Sequence, residues 1–477
     1  MSEWRTSRWW VAGITLLGAG LRLYRLGGPS FWFDECFTYT VTLAPLRDSL
    51  AALLVAGIYS PFYFLLLRFM VALVGSSEYA FRFLSAAFGI LTVPLLYRLG
   101  RRLLGKQGGL LAALLLAVCP FHVWYSQDAR MYALLSFFCL AAMDQFELLL
   151  SGRQNWILFI ACSALAYLTH YAAGALIYVQ LMLLLPLLRR GRLFWRWFLA
   201  QMAALAPLVP WLVLYLVHGV RPAGLGWIPR PDALAPLRTL WNFTSADAVT
   251  FTPLVMVLTL AVGAVVVRAG FPWDGVRRLL FWWLMLPILM VFVLSLWRSY
   301  YVDRYFTGSL PAYLLWLALG IGAFSRPAWR ALAVVAVLLA MGWGAVRLHH
   351  DPYFAKEDWR GVAQAIDAGL QPGDVVALQD YEALVGTSVY REREWPQAVL
   401  VGIGDPTPLD VVAEGHKRVW LVWRSPREAN HRLSKSELFD VFAEADPPTV
   451  AWLAAHRGQV ALELRFPGLS VVRVEMR

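Results

Sequence analysis

The chain has 477 residues, 59% of them hydrophobic and only 15% charged, with a net charge of +11. Ordinary soluble domains carry roughly 25% charged residues, and apolar runs recur here from Trp9 to Leu348, so a soluble enzyme is excluded in favour of a polytopic α-helical membrane protein. Basic clusters are short and lie between the apolar runs, which fits the positive-inside rule and contact with anionic membrane lipids and excludes nucleic acid as a partner.

In chain order, "MSEWRTSRWW" places the N-terminus on the cytoplasmic side, and residues 9–26 are expected to form a first, uncleaved span. Residues 27–78 then read as one long outer loop with interfacial helices at 38–56 and 59–74, the second short and carrying Arg68 in its middle. Parity supports this: if 59–74 crossed, the basic "RRLLGK" at 101–106 would face outward. Spans are expected at 79–97, 108–125 and 131–150. Residues 155–188 would measure roughly 51 Å as one helix, too long for a core of roughly 30 Å. They are therefore read as two crossings that turn near "LTHYAAG". Further spans at 196–217, 251–267, 279–297, 306–324 and 331–348 bring the expected total to about eleven, with an outer loop at 218–250.

After residue 348 charges become frequent, so the chain is expected to divide into a membrane domain, 1–348, and an extracytoplasmic α/β domain, 349–477. "KEDWRGVAQAIDAGL" has helical spacing, "VVALQ" and "RVWLVW" read as strands, and "SELFDVFAEA" opens with a capping pattern at Ser436. "QVALELRF" and "LSVVRVEM" are expected to pair around "PG". The four cysteines, Cys36, Cys119, Cys139 and Cys162, have neither metal-ligand spacing nor a disulfide pattern.

On this topology "FWFDE", "SQDARMY", "THY" and "WRSYYVDRY" share the outer face. Ionisable groups at membrane depth cost several kcal/mol unless paired, so their gathering marks a site. The suitable chemistry is transfer from a lipid phosphate. A carboxylate at the membrane edge, Asp34 with Glu35 beside it, can deprotonate a hydroxyl acceptor. The phosphate leaving group needs positive charge, which Arg304 and Arg298 with Tyr301 or Tyr305 can supply. Trp32 and its aromatic neighbours can hold a sugar or a lipid tail.

The stretches "FWFDE", "YSPFYFLLL", "YSQDARMYAL", "LTHYAAG" and "DRYFTGSLP" resemble bacterial glycosyltransferase family 39 of the GT-C superfamily, similar to protein O-mannosyltransferases and to the aminoarabinose transferases that modify lipid A. The resemblance implies a GT-C fold and an inverting sugar transferase using a polyprenyl-phosphate sugar donor at the outer face of the cytoplasmic membrane. It implies Asp34 as base with Glu35 in support, and Asp128 as a second acid that orients the acceptor. Tyr59, Gln127, Arg130, Tyr132, His170 and Tyr171, which lie in these motifs, are candidate substrate-binding residues. Some members use a divalent cation; a Mg or Mn ion would then fall to Asp34 and Asp128. Where members often carry an acid or a His before the Pro of the second apolar run, this chain reads Ile58-Tyr59-Ser60-Pro61. The rival readings are a flippase for lipid-linked sugar, which would favour paired half-repeats, and a membrane scaffold, which would tolerate loss of Asp34.

Overall fold

The structure, a computed structural model, describes residues 2–57, 59–153, 155–187, 191–218, 228–246, 253–270, 273–351, 354–399, 408–424 and 447–476. The expected capping pattern at Ser436 and parts of the 218–250 loop lie outside the described residues. The chain divides into two compact units. One comprises Met1–Leu26, Ala44–Ser76 and Ala80–Val346; the other comprises Gly27–Leu43, Ser77–Tyr79 and Arg347–Arg477. Where the sequence places one boundary at 348, the contacts thus group a piece of the first outer loop with the tail.

The helices in chain order are α1 (Ser2–Leu23), α2 (Phe33–Leu43), α3 (Leu46–Ala56), α4 (Phe62–Val74), α5 (Glu78–Val118), α6 (Pro120–Ser126), α7 (Tyr132–Leu150) and α8 (Trp156–Thr169). They continue as α9 (Ala175–Leu184), α10 (Gly191–Leu205), α11 (Val209–Val217), α12 (Ala235–Ser245), α13 (Pro253–Ala269), α14 (Gly275–Ser295), α15 (Leu310–Gly322) and α16 (Pro327–His350). By length and composition, five helical segments among the described residues can cross a membrane: Glu78–Val118, Tyr132–Leu150, Gly191–Val217, Gly275–Ser295 and Pro327–His350. Shorter apolar helices, α4, α8, α9 and α15 among them, accompany these.

Proline and glycine account for most departures from the expected bounds. Pro45 separates α2 from α3, so the helix expected at 38–56 is two helices. The spans expected at 79–97 and 108–125 run on as α5, broken only at Gly105, whose φ of +76° no ordinary side chain favours. The second of them stops at Val118 because Pro120 lacks an N–H and opens α6 instead. The 155–188 segment breaks where expected, between α8 and α9: His170 is extended and a 3₁₀ turn follows at Tyr171–Gly174. One buried charge in this unit is structural. Arg22 donates to Gly18 O (2.9 Å), Leu116 O (3.0 Å), Ala117 O (3.0 Å) and His122 Nδ1 (2.8 Å). It thereby satisfies carbonyls that the end of α5 leaves without helical partners.

In the second unit, α17 (Trp359–Gly369), β1 (Asp374–Leu378), α18 (Tyr381–Tyr390), β2 (Gln397–Val399), α19 (Leu409–Ala413), β3 (Arg418–Arg424), α20 (Pro447–Ala455), β4 (Val460–Phe466) and β5 (Leu469–Glu475) form a five-stranded sheet with helices. The strand order is β2-β1-β3-β5-β4, parallel between β2, β1 and β3 and antiparallel from β3 to β4. β4 and β5 pair around Pro467 and Gly468, with Phe466 opposite Leu469 and Gly468 at φ +69°. Val375, Ala377, Val419, Leu421 and Val472 pack with Leu409, Val412, Trp452 and Leu453 of α19 and α20. Asp358 and Asp380 cap α17 and α18 through Gly361 N (3.0 Å) and Ala383 N (2.7 Å). β2, α18, α19 and α20 are absent from the sequence reading; β2 and α19 are three and five residues long, and α18 lacks a clear apolar stripe.

Candidate active site

Within the first unit, four stretches far apart in sequence meet. The α6–α7 turn carries Asp128, Arg130 and Tyr132. Asp128 and Arg130 are buried, and Arg130 N donates to Asp128 O (2.7 Å). The Arg130 Nη2 donates to the Tyr59 hydroxyl (2.7 Å), and its guanidinium lies 4.7 Å from that ring's centre. Tyr59 is held in turn by its carbonyl, which accepts from Trp211 Nε1 (3.1 Å) and the Tyr171 hydroxyl (3.3 Å). Tyr132 lies 6.0 Å from His170 and 6.5 Å from Tyr305, and His170 lies 5.1 Å from Tyr305. The Arg304 guanidinium sits 5.8 Å from the Tyr132 ring. Two cations thus flank one aromatic group, an arrangement suited to an anionic oxygen cluster with an apolar attachment.

The backbone explains how Arg304 gets there. Asp303–Phe306 form a 3₁₀ turn, and Asp303 bonds Asn242 Nδ2 and Thr239 Oγ1 (2.6 Å) of α12. Tyr301 completes that anchor through Thr239 (2.7 Å). Burial raises the Asp303 carboxyl above its ordinary range, against the opposing hydrogen bonds of Thr239 and Asn242. Tyr301 therefore belongs to the support of Arg304 and not to its aromatic group. Arg298 is exposed and stacks on Tyr300 (5.9 Å). Gln127 turns to the end of α1, donating to the carbonyls of Leu21 (3.1 Å), Arg22 (3.2 Å) and Tyr24 (2.8 Å). Trp211, Asp303, Thr239 and Asn242 carry no motif signal of their own; only "DRY" marked Asp303 as a neighbour of Arg304.

His170 accepts from Ala172 N at Nδ1 (3.0 Å), so the neutral ring carries its proton on Nε2. Burial, with the positive charges of Arg130 and Arg304, holds its pKa down to about 3. An unfolded chain binds the proton near the ordinary value of roughly 6.5. The stability that neutral His170 contributes is therefore present above that value and is lost as pH falls towards 3. The melting temperature of the wild-type protein is expected to drop more between pH 7.5 and pH 5 than that of His170→Gln. Equal drops would show that His170 is not held neutral.

The remaining predicted residues lie in the second unit. Asp34 and Glu35 occupy the first turn of α2, at the positive end of its dipole. Glu35 is fully buried and pairs with Lys356 Nζ (2.9 Å). Asp34 is half-buried, and its carbonyl accepts from Thr38 Oγ1 (2.9 Å). The start of α2 is clamped to the tail. Phe33 N donates to Glu357 Oε2 (3.0 Å), Ser30 Oγ to Glu357 O (2.6 Å) and Phe31 N to the Tyr390 hydroxyl (2.7 Å). Glu357 also accepts from Trp359 Nε1 (2.9 Å) and Arg424 Nη2 (2.8 Å). Trp32, half-buried, enters this turn through its N–H, 3.4 Å from Glu35 Oε2. Glu357→Ala is expected to destabilise the protein by about 1.5–3 kcal/mol, the scale of a hydrogen bond to a charged group. An unchanged unfolding transition would refute the clamp.

The family profile of dolichyl-phosphate-mannose-protein mannosyltransferases matches residues 59–214. The fold is similar to that of ArnT from Cupriavidus metallidurans in the apo state, with TM-score 0.61 and 14% identity over 98% of both chains. It is also similar to ArnT bound to undecaprenyl phosphate, with TM-score 0.56 and 13% identity over 97% of this chain and 98% of that one. The Archaeoglobus fulgidus oligosaccharyltransferase tethered with an acceptor peptide gives TM-score 0.51 and 13% identity over 93% of this chain and 72% of that one. No curated protein matches the chain. The profile match over residues 59–214 and the similarity in fold bear out the GT-C resemblance read from the motifs.

Proposed function

We propose that the chain transfers a sugar from a polyprenyl-phosphate donor to a hydroxyl of a lipid, glycan or protein acceptor at the outer face of the cytoplasmic membrane. The observation that carries this reading is the convergence of Arg130 and Arg304 on Tyr59, Tyr132, His170 and Tyr305. Two cations and a set of rings suit a phosphate joined to a sugar and a lipid chain. In the proposed step Asp34 takes the acceptor's proton as its oxygen bonds the anomeric carbon. The carbon–oxygen bond to phosphate breaks, and polyprenyl phosphate leaves with the electron pair, inverting the centre. Arg130 and Arg304 bind the phosphate and stabilise its growing charge, while neutral His170 can donate from Nε2. The fold neighbour with undecaprenyl phosphate bound supports the donor class.

No group of three or more His, Cys, Asp or Glu suited to a metal occurs among the described residues. A divalent cation is therefore kept as an arm of the assay. Loss of transfer in EDTA with recovery in Mg or Mn would show that a divalent cation is needed. The test of the function is transfer of radiolabel from a polyprenyl-phosphate sugar by the purified protein; donor binding without transfer to any acceptor would favour a flippase. The outer location has its own test. Val411 is 57% exposed in the tail, and Val411→Cys in a cysteine-free background is expected to react with an impermeant maleimide added to intact cells or spheroplasts. Reaction only after lysis would place the tail inside.

A further inference from the structure

The α12 helix carries no motif, yet it reaches the aromatic group of the first unit by two separate routes. Asn242 and Phe243 follow Thr239 by three and four residues, so all three lie on one side of the helix. The first route is polar. Thr239 is fully buried and Asn242 half-buried. Thr239 Oγ1 lies 2.7 Å from the Tyr301 hydroxyl and donates to Asp303 Oδ1 (2.6 Å), and Asn242 Nδ2 donates to Asp303 Oδ2. Asp303 is followed directly by Arg304, whose guanidinium lies 5.8 Å from the Tyr132 ring. The second route runs from ring to ring. Phe243 is fully buried, 5.1 Å from Phe121; Phe121 is 4.9 Å from Tyr125, and Tyr125 is 5.3 Å from Tyr132. The Phe243 carbonyl also accepts from Cys119 Sγ (3.2 Å) at the start of α6, and the next residue, Thr244, bonds the Tyr313 hydroxyl of α15 (2.6 Å).

Both routes close on the same pair, Arg304 and Tyr132. We propose that α12 is the positioning element of the donor phosphate site: Phe243 seats the helix on α6, and Thr239 and Asn242 hold from it the turn that presents Arg304 to Tyr132. This role rests on the reading of Arg304 as a phosphate ligand. A guanidinium that meets two phosphate oxygens has to be held within about 0.5 Å of its place, and a long side chain reaches that precision only from a fixed backbone. The Asp303 carboxylate supplies the fixing, because it accepts from two groups that one rigid helix holds at a constant spacing. Removing either donor leaves a buried carboxylate short of a partner, and the turn then shifts to find another. Thr239, Asn242 and Phe243 thus act on the phosphate through Arg304 and are positioning residues, not ligands.

The test is equilibrium binding of radiolabelled undecaprenyl phosphate to the detergent-solubilised full-length protein, in a double-variant cycle with Arg304→Ala. Thr239→Val removes the hydroxyl at nearly constant volume and is expected to weaken binding roughly five- to thirtyfold, within the range of couplings inside one hydrogen-bond network. Thr239→Ser, which keeps the hydroxyl, should recover most of that loss. Phe243→Leu, which keeps an apolar side chain but removes the ring, should weaken binding roughly three- to tenfold. In the Arg304→Ala background neither Thr239→Val nor Phe243→Leu should cost more than about twofold further, because no guanidinium is left to misplace. A merely structural role would give the same factor in both backgrounds, and such additivity in either cycle would overturn the proposal. Asn242→Ala takes the place of Thr239→Val in the cycle if the latter does not fold. Undiminished binding by Arg304→Ala would refute the phosphate reading of Arg304 and this role with it. Undiminished binding by Thr239→Val, beside weakened binding by Arg304→Ala, would refute the role of α12 alone.

Discussion

Asp34→Asn is expected to fold, to bind the lipid donor normally, and to lose transfer by at least about a hundredfold. An acceptor hydroxyl is a poor nucleophile at neutral pH, and a positioned base contributes about 10²–10⁴-fold. Successive residues of a helix point roughly 100° apart, so Asp34 and Glu35 cannot serve one atom together. Glu35 is committed to Lys356, the two side chains being 0% and 7% exposed. Breaking one partner of such a buried pair costs about 3–5 kcal/mol. Glu35→Gln should therefore lower the melting temperature markedly and retain more transfer per folded molecule than Asp34→Asn. Single-turnover transfer at saturating donor, with unfolding followed in parallel, separates the two effects. Near-normal transfer by Asp34→Asn would move the base to another carboxylate, with Asp128 the next candidate. Equal and complete loss in both variants would indicate that the carboxylates act as a unit.

Arg304→Ala is expected to weaken donor binding by about 2–5 kcal/mol, the range for truncating one partner of a desolvated charge pair. The residue is carried by a turn whose Asp303 is bonded to Thr239 and Asn242, so the backbone that presents the guanidinium does not have to be ordered when the phosphate arrives. Arg304→Lys should recover only part of the affinity, because an ammonium lacks the planar fork that matches two phosphate oxygens. Binding of a polyprenyl phosphate, measured by its protection against thermal unfolding, reads the effect without depending on the acceptor. Full protection in Arg304→Ala would reduce Arg304 to an interfacial anchor and leave Arg130 as the phosphate ligand.

Much of this protein can be read from residue order alone, because membrane insertion writes itself into composition. Long apolar runs, basic punctuation and prolines mark helices and their ends through local physics, and the break at His170 follows from helix length against bilayer thickness. The β4–β5 hairpin is equally local, since alternation and the Pro467-Gly468 pair act over a few residues. The motifs "DARMY", "THY" and "DRY" also pointed to Arg130, Tyr132, His170, Arg304 and Tyr305 as polar or aromatic residues stranded at membrane edges. Residue order did not show what each side chain faces. Gln127 and Arg130 sit three apart in one motif, yet one closes the end of α1 and the other meets Tyr59. Asp34 and Glu35 are adjacent, yet Glu35 is buried against a lysine more than three hundred residues away. Trp211, Thr239 and Asn242 lie in segments with no polar pattern to single them out. Those assignments depend on long-range packing: a hydrogen bond or ion pair forms with whatever the fold brings within about 3 Å, and sequence spacing carries no record of that distance.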